Sequence, residues 1–244
     1  MMDADSLALI AAGLLLAGIV KGATGIGYAT FALPILANII GLKPAMAMVV
    51  APTLAANMSL TITAGHVRET TRNFALLYLA MLPGVAAGAA LLVMVDQRVA
   101  VIVCGSLLIL YSAFALMKPH LALSSQSARR LKVPVGFANG LLTGLTGSQV
   151  LPLVPYVLAL QLDSARTLQT INIGVLILSS ALGLSLLLTN ATDPMLLLAS
   201  LAGVLPALAG SAIGASLQAR LNGRVARMLV LGVVALSGVR MLVG

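Results

Sequence analysis

From Leu7 onward the chain is a succession of apolar runs separated by brief polar breaks. The runs are about 20 residues long, the helical length that crosses a hydrocarbon core of about 30 Å. They are continuous, with no period-two alternation, which excludes the strand pattern of an outer-membrane barrel. Composition closes the soluble alternative: 60% of the 244 residues are hydrophobic and 8% are charged, against about 25% charged in soluble domains. An all-α polytopic membrane protein follows. The start, MMDADSLALI, lacks the basic flank of a cleaved signal, so the first apolar segment is expected to remain. The single cysteine, Cys104, excludes an internal disulfide. No metal or other cofactor is expected, since a protein zinc site needs three or four converging ligands. The basic residues lie in short loops between spans, where they read as topology signals and not as a nucleic-acid surface.

The chain also repeats itself. GIVKGATG (residues 18–25) lines up with GLLTGLTG (residues 140–147), and GVAAGAALLVMVDQRVA from Gly84 aligns without gaps with GSAIGASLQARLNGRVA from Gly210. The offsets are 122 and 126 residues, so a duplication is expected, as in transporter folds. Repeat one covers residues 1–117, a basic linker 118–132, and repeat two 133–244, all within one membrane domain.

Each repeat opens with a Gly-rich interrupted stretch, residues 7–42 and 133–162, followed by three spans: 44–64, 73–95 and 99–117, then 167–189, 195–219 and 226–243. The interrupted stretches are too short for two ordinary crossings. Two arms of about 14 residues reach about 21 Å each, past the midplane only, so re-entrant helix pairs are expected, with two short tilted spans as the alternative. Either way each repeat crosses an odd number of times, and the two repeats must be inverted. With the N-terminus on one side, Arg68, Arg72, Lys118, Arg129, Arg130, Lys132, Arg166, Arg220, Arg224 and Arg227 fall on the other, which leaves only Lys43, Arg98 and Arg240 beside the N-terminus. The positive-inside rule makes the richer side cytoplasmic. Both termini are then periplasmic, in a bacterial inner membrane.

Irregular backbone survives at membrane depth only where it is buried or lines a cavity. Two inverted interruptions entering from opposite faces meet near the midplane, where inverted-repeat transporters bind substrate. Helix ends there present free N–H groups and the positive end of the macrodipole to an anion. Lys21 lies in the first interruption. An intramembrane lysine costs about 2.5–3.5 kcal/mol on insertion scales and points to function; the alternative is that it snorkels to an interface. Asp3, Asp5, Glu69, Asp96, Asp163 and Asp193 are all terminal or in loops, so no span offers Lys21 a carboxylate.

KGATGIGYATFALPIL from Lys21 and APTLAANMS from Ala51 resemble the first half of the TauE/SafE family, also called the sulfite-exporter or TSUP family, and GLLTGLTGSQVLPLVPYVL from Gly140 is similar to its second signature. The resemblance covers essentially the whole chain. It implies transport of sulfite, sulfonates or related oxyanions across the inner membrane. By position the candidate substrate-binding residues are Lys21, Thr24, Gly25 and Gly27 of the first turn, and Thr146, Gly147, Ser148 and Gln149 of the second. Asn57 and Asn172, on the spans after each hairpin, either join them or hold helices together. Pro52, Pro83 and Pro206 are expected to kink their spans, and the pairs Gly84/Gly88 and Gly210/Gly214 to form close-packing faces. His66 and His120 are expected in cytoplasmic loops, solvated.

A secondary transporter for a small anion is the leading functional expectation. The alternatives are a passive anion channel and an uptake transporter for a small carboxylate. An enzyme is disfavoured, because the spans contain no nucleophile–base pair, carboxylate dyad or metal cluster. A structural subunit of a larger complex is a further alternative. The expected partners are the small anion and membrane lipid. Coupling to protons or another ion, and a homodimer, stay open. The sequence has no nucleotide-binding motif.

Overall fold

In a chain this rich in glycine, the architecture depends on which glycines end helices and which let helices touch. The computed structural model describes residues 4–25, 27–117, 121–218 and 223–243, and within them the regular structure is entirely helical. The first half comprises α1 (Ala4–Thr24), α2 (Tyr28–Ile40), α3 (Leu42–Met48), α4 (Val50–Ala64), α5 (Val67–Asn73), α6 (Ala75–Met94) and α7 (Gln97–Met117). The second comprises α8 (Ser125–Thr146), α9 (Leu153–Ala159), α10 (Ser164–Leu188), α11 (Pro194–Ala199), α12 (Val204–Gln218) and α13 (Gly223–Val243). Among the described residues six stretches are long and apolar enough to cross a membrane: Asp5–Thr24, Leu42–Thr63, Ala75–Met94, Gln97–Met117, Ser164–Leu188 and Pro194–Leu217. The protein is a multi-pass membrane protein.

Most glycines are packing faces. A methyl group on Gly18 would collide with the Ala207 carbonyl and one on Gly22 with the Ser211 carbonyl, while Gly210 and Gly214 meet the Leu15 and Ile19 carbonyls in return. The same lock recurs between α8 and α6, where Gly140 and Gly144 face the Met81 and Val85 carbonyls and Gly84 and Gly88 face those of Phe137 and Leu141. Without Cβ atoms the backbones approach closely, which is how helices associate where lipid removes the hydrophobic driving force. The long helix of each hairpin therefore packs on a span of the opposite half: α1 on α12, α8 on α6. Helices α4 and α10 pack together, as do α7 and α13.

This lock changes the expected hairpins. Gly18 and Gly22 lie on a helix face instead of interrupting it, so α1 continues to Thr24 and reaches 21 residues against the 13 of α2. In the second hairpin the arms are 22 and 7 residues. The two pairs of equal 14-residue arms are not observed. Helix α8 also begins inside the stretch expected to be linker, where the Ser124 hydroxyl accepts from the Ser127 N–H and caps it. Both hairpins fold back on themselves. Gly13 of α1 faces Ile35 and Leu36 of α2, and the Leu123 N–H donates to the Ala159 carbonyl at 2.9 Å, joining the two ends of the second hairpin.

Two further breaks lie beside prolines. The α3–α4 span breaks at Val49, three residues before Pro52, and the α11–α12 span turns at Ser200–Gly203 before Pro206, since a proline offers no N–H to the carbonyl four residues earlier. Helix α6 continues unbroken through Pro83. The topology expectations for Lys118 and Arg220, and the solvated His120, lie outside the described residues. His66 is half exposed, but it has a partner: its Nδ1 lies 3.5 Å from Glu69 Oε2.

Candidate functional site

Lys21 sits in the last turn of α1, where the negative end of the helix dipole favours a cation. The Gly25 N–H closes that helix on the Lys21 carbonyl at 2.7 Å. Gly25 at φ 77° and Gly27 at φ 92° then reverse the chain in the left-handed region that glycine tolerates, and α2 starts at Tyr28. The Lys21 side chain is 1% exposed. It does not snorkel; its Nζ turns inward and donates to Asn57 Oδ1 and Asn172 Oδ1, each at 2.7 Å. These asparagines come from α4 and α10, the helices that pack against each other between the hairpins. Asn57 is fixed in turn, because its Nδ2 donates to the Thr53 carbonyl at 2.7 Å.

A small cavity adjoins this ammonium. It is lined by Lys21, Gly27, Tyr28, Thr30, Asn57 and Gln149, with Val150, Ile171 and Val175 as an apolar wall, and encloses about 10 Å³. That holds about one water. Gly27 supplies no side-chain cap to α2, and the first N–H groups of a helix have no intrahelical acceptor. The Lys21 amine and the N-terminus of α2 thus meet at this cavity, donors suited to a small anion, while the amide N–H groups of Asn57 and Gln149 are bonded to Thr53 and Ser179.

The second hairpin approaches with a turn that is mostly self-satisfied. Thr143 donates to the Ser148 carbonyl at 2.9 Å, and the Ser148 N–H donates to Thr146 Oγ1 at 3.2 Å. Asn139 accepts from the Leu153 N–H at 2.9 Å and donates to the Gln149 carbonyl at 3.4 Å, tying both arms together. Gln149 Nε2 donates to Ser179 Oγ at 2.9 Å. Ser148 Oγ and Gln149 Oε1 are buried without a hydrogen-bond partner.

Of the ten residues singled out from the sequence, Lys21, Gly27, Asn57 and Gln149 line the cavity, and Asn172 reaches it through Lys21. Ser148 is the immediate neighbour of Gln149. The other four shape the turns. Thr24 is exposed and donates to the Val20 carbonyl at 2.8 Å, Gly25 faces Leu168, Gly147 is packed against Met46 and Leu33, and Thr146 donates to the Leu142 carbonyl at 2.7 Å. Sequence reasoning passed over Tyr28 and Thr30 in the lining, and Asn139 and Ser179 behind it. The visible signal for Asn139 and Ser179 was a polar residue in the middle of an apolar helix, which needs partners.

No curated protein and no solved structure matches the chain at a significant level. The family model described as sulfite exporter TauE/SafE matches residues 9–241. That match covers nearly all of the 244 residues, and the chain belongs to the sulfite exporter TauE/SafE family of membrane transporters.

Proposed function

We propose that this protein is a secondary transporter that exports a small anion, such as sulfite, an organosulfonate or a related oxyanion, through a site at the membrane midplane. One observation carries this reading: a fully buried lysine nitrogen whose partners are neutral amide oxygens. Neutral acceptors satisfy the hydrogen bonds of Lys21 but leave its charge uncompensated in a low-dielectric interior, where an unpaired charge is costly. An anion that displaced the two asparagine oxygens would supply the missing charge. The cavity of about 10 Å³ is too small for an oxyanion, so binding requires the hairpins to separate, as alternating access demands.

We read the chain as two inverted repeats, 1–117 and 133–244, each opening with a re-entrant helix pair in a bacterial inner membrane, with both termini periplasmic. The crossed pairing of α1 with α12 and α8 with α6 supports the duplication. The joined ends of the second hairpin support re-entrance. The grouping of Arg129, Lys132 and Arg166 around one cleft supports a common, cytoplasmic end.

The test is Lys21→Met in proteoliposomes. Loss of the ammonium leaves two asparagine oxygens short of a donor, about 1 kcal/mol each, but also removes the insertion penalty of about 2.5–3.5 kcal/mol, so the variant should fold. Sulfite affinity should fall about ten- to a hundredfold, the worth of a charge-assisted hydrogen bond. Wild-type transport by Lys21→Met would refute the site. Sulfite-dependent reversal potentials that follow the anion gradient alone, with currents of channel size, would replace the transporter by a passive channel.

A further inference from the structure

A second cleft lies apart from the cavity beside Lys21. It lies at the end expected to be cytoplasmic, between the two halves, and measures about 410 Å³. Glu69, Thr70, Asn73 and Phe74 come from the first half; the second half contributes Arg129, Lys132, Arg166 and Thr170. Three cations thus face one carboxylate. Arg166 is already compensated, by Glu69 at 3.2 Å and Asp163 at 3.1 Å. Lys132 and Arg129 are not: Lys132 Nζ donates to the neutral Asn73 carbonyl at 2.6 Å and lies 5.3 Å from the centre of the Phe74 ring, and Arg129 forms no salt bridge among the described residues.

The placing of these charges is itself unfavourable. Arg129, Arg130 and Lys132 follow the first turn of α8, which holds no acidic residue to balance them. Arg129 and Lys132, three apart, share a helix face, and both line the cleft. An anion between them would relieve their mutual repulsion.

The cleft also reaches toward the midplane. Thr170 forms part of its wall, and two residues farther along α10 is Asn172, which holds Lys21. Behind that wall, the hydroxyl of the buried Tyr78 donates to the Thr170 carbonyl at 2.9 Å.

The geometry points to a second oxyanion site, built by Arg129, Lys132 and Arg166, that collects sulfite-like anions and supplies them to the midplane site. This rests on the transport reading given above, but its anion binding can be measured apart from it. The chemistry it recognises, a compact oxyanion of sulfite, sulfonate or phosphate type, is shared by soluble anions and by the phosphate of an anionic lipid.

Binding of radiolabelled sulfite to purified protein in nanodiscs of zwitterionic lipid tests it. Wild type should bind two sulfites per chain, and Lys21→Met and Arg129→Gln/Lys132→Gln one each. The second variant should also raise the transport KM about tenfold with kcat little changed. Arg129→Gln alone breaks no ion pair among the described residues and serves as the folding-safe variant, with a smaller KM rise; Arg129→Lys should restore affinity. One site that Lys21→Met abolishes and the cleft variants leave untouched would overturn the cleft and keep the midplane site. One site lost only in the cleft variants would do the reverse. If the second sulfite disappears when the nanodiscs contain anionic lipid, a headgroup occupies the cleft and its loading role is overturned.

Discussion

Lys21 and Thr143 occupy matching places in the two eight-residue stretches GIVKGATG and GLLTGLTG, yet their side chains do opposite things. Lys21 reaches out of its own hairpin to asparagines 36 and 151 residues away in sequence. Thr143 turns back on its own hairpin and holds the Ser148 carbonyl. One turn carries the charge and is steadied by its surroundings, while the other is steadied from within and offers neutral polar groups. Two hairpins can divide labour in this way because their glycine locks make matching contacts. The side chains at the tips are then free to differ.

The locks themselves provide the most severe test of that comparison. Gly22→Leu and Gly144→Leu each drive a side chain into a facing backbone, at the Ser211 and Val85 carbonyls. Overpacking costs about 1–3 kcal/mol where side chains can yield, and backbone cannot. Both variants should fail to give a monodisperse peak on size-exclusion chromatography in detergent. A difference between them would show that the two hairpins are not equally anchored. The next effect separates inner from outer support. Asn139→Leu strands the buried Leu153 N–H, a loss of about 1–3 kcal/mol, and should lower the melting temperature in detergent with or without an anion. Asn57→Leu removes one of two acceptors from Lys21, so it should move the sulfite titration more than the melting temperature. The smallest effects lie within the second turn. Thr146→Val deprives the Ser148 N–H of its acceptor and should cost about 1 kcal/mol. Ser148→Ala removes a hydroxyl that has no partner and should leave the melting temperature within about 1 °C of wild type, a change of under about 0.5 kcal/mol. A few-fold weaker sulfite affinity in Ser148→Ala would bring the second turn into the site.

Much of the architecture was legible because lipid enforces it: continuous apolar runs and GxxxG pairs reappear in the helices and their contacts. The hairpin arms were misjudged because a glycine in an apolar helix carries two meanings, break or close approach, and only the facing helix distinguishes them. Gly18 and Gly22 proved to be the second kind, Gly25 and Gly27 the first. The start of α8 was missed because SSQSARRLK is polar, although Ser124 is a good cap residue. At the site, Lys21, Asn57 and Asn172 stood out as polar residues in apolar spans. Their convergence did not, since it depends on the packing of α4 on α10. Tyr28 was passed over because a single aromatic gives no periodic signal, and Thr30 because a threonine can satisfy itself on its own helix.

The crossed glycine locks also set a timetable for biosynthesis. Gly140 meets Met81, made 59 residues earlier, whereas Gly18 must wait for Ala207, made 189 residues later. At synthesis rates of about 5–20 residues per second, the second hairpin finds its partner span already in the bilayer. The first stays without its own for about 10–40 s. During that interval Lys21 also lacks Asn172, made 151 residues after it. The hairpin that bears Lys21 is therefore the first of the two to be made and the last to be locked in place, once the ribosome has reached α12.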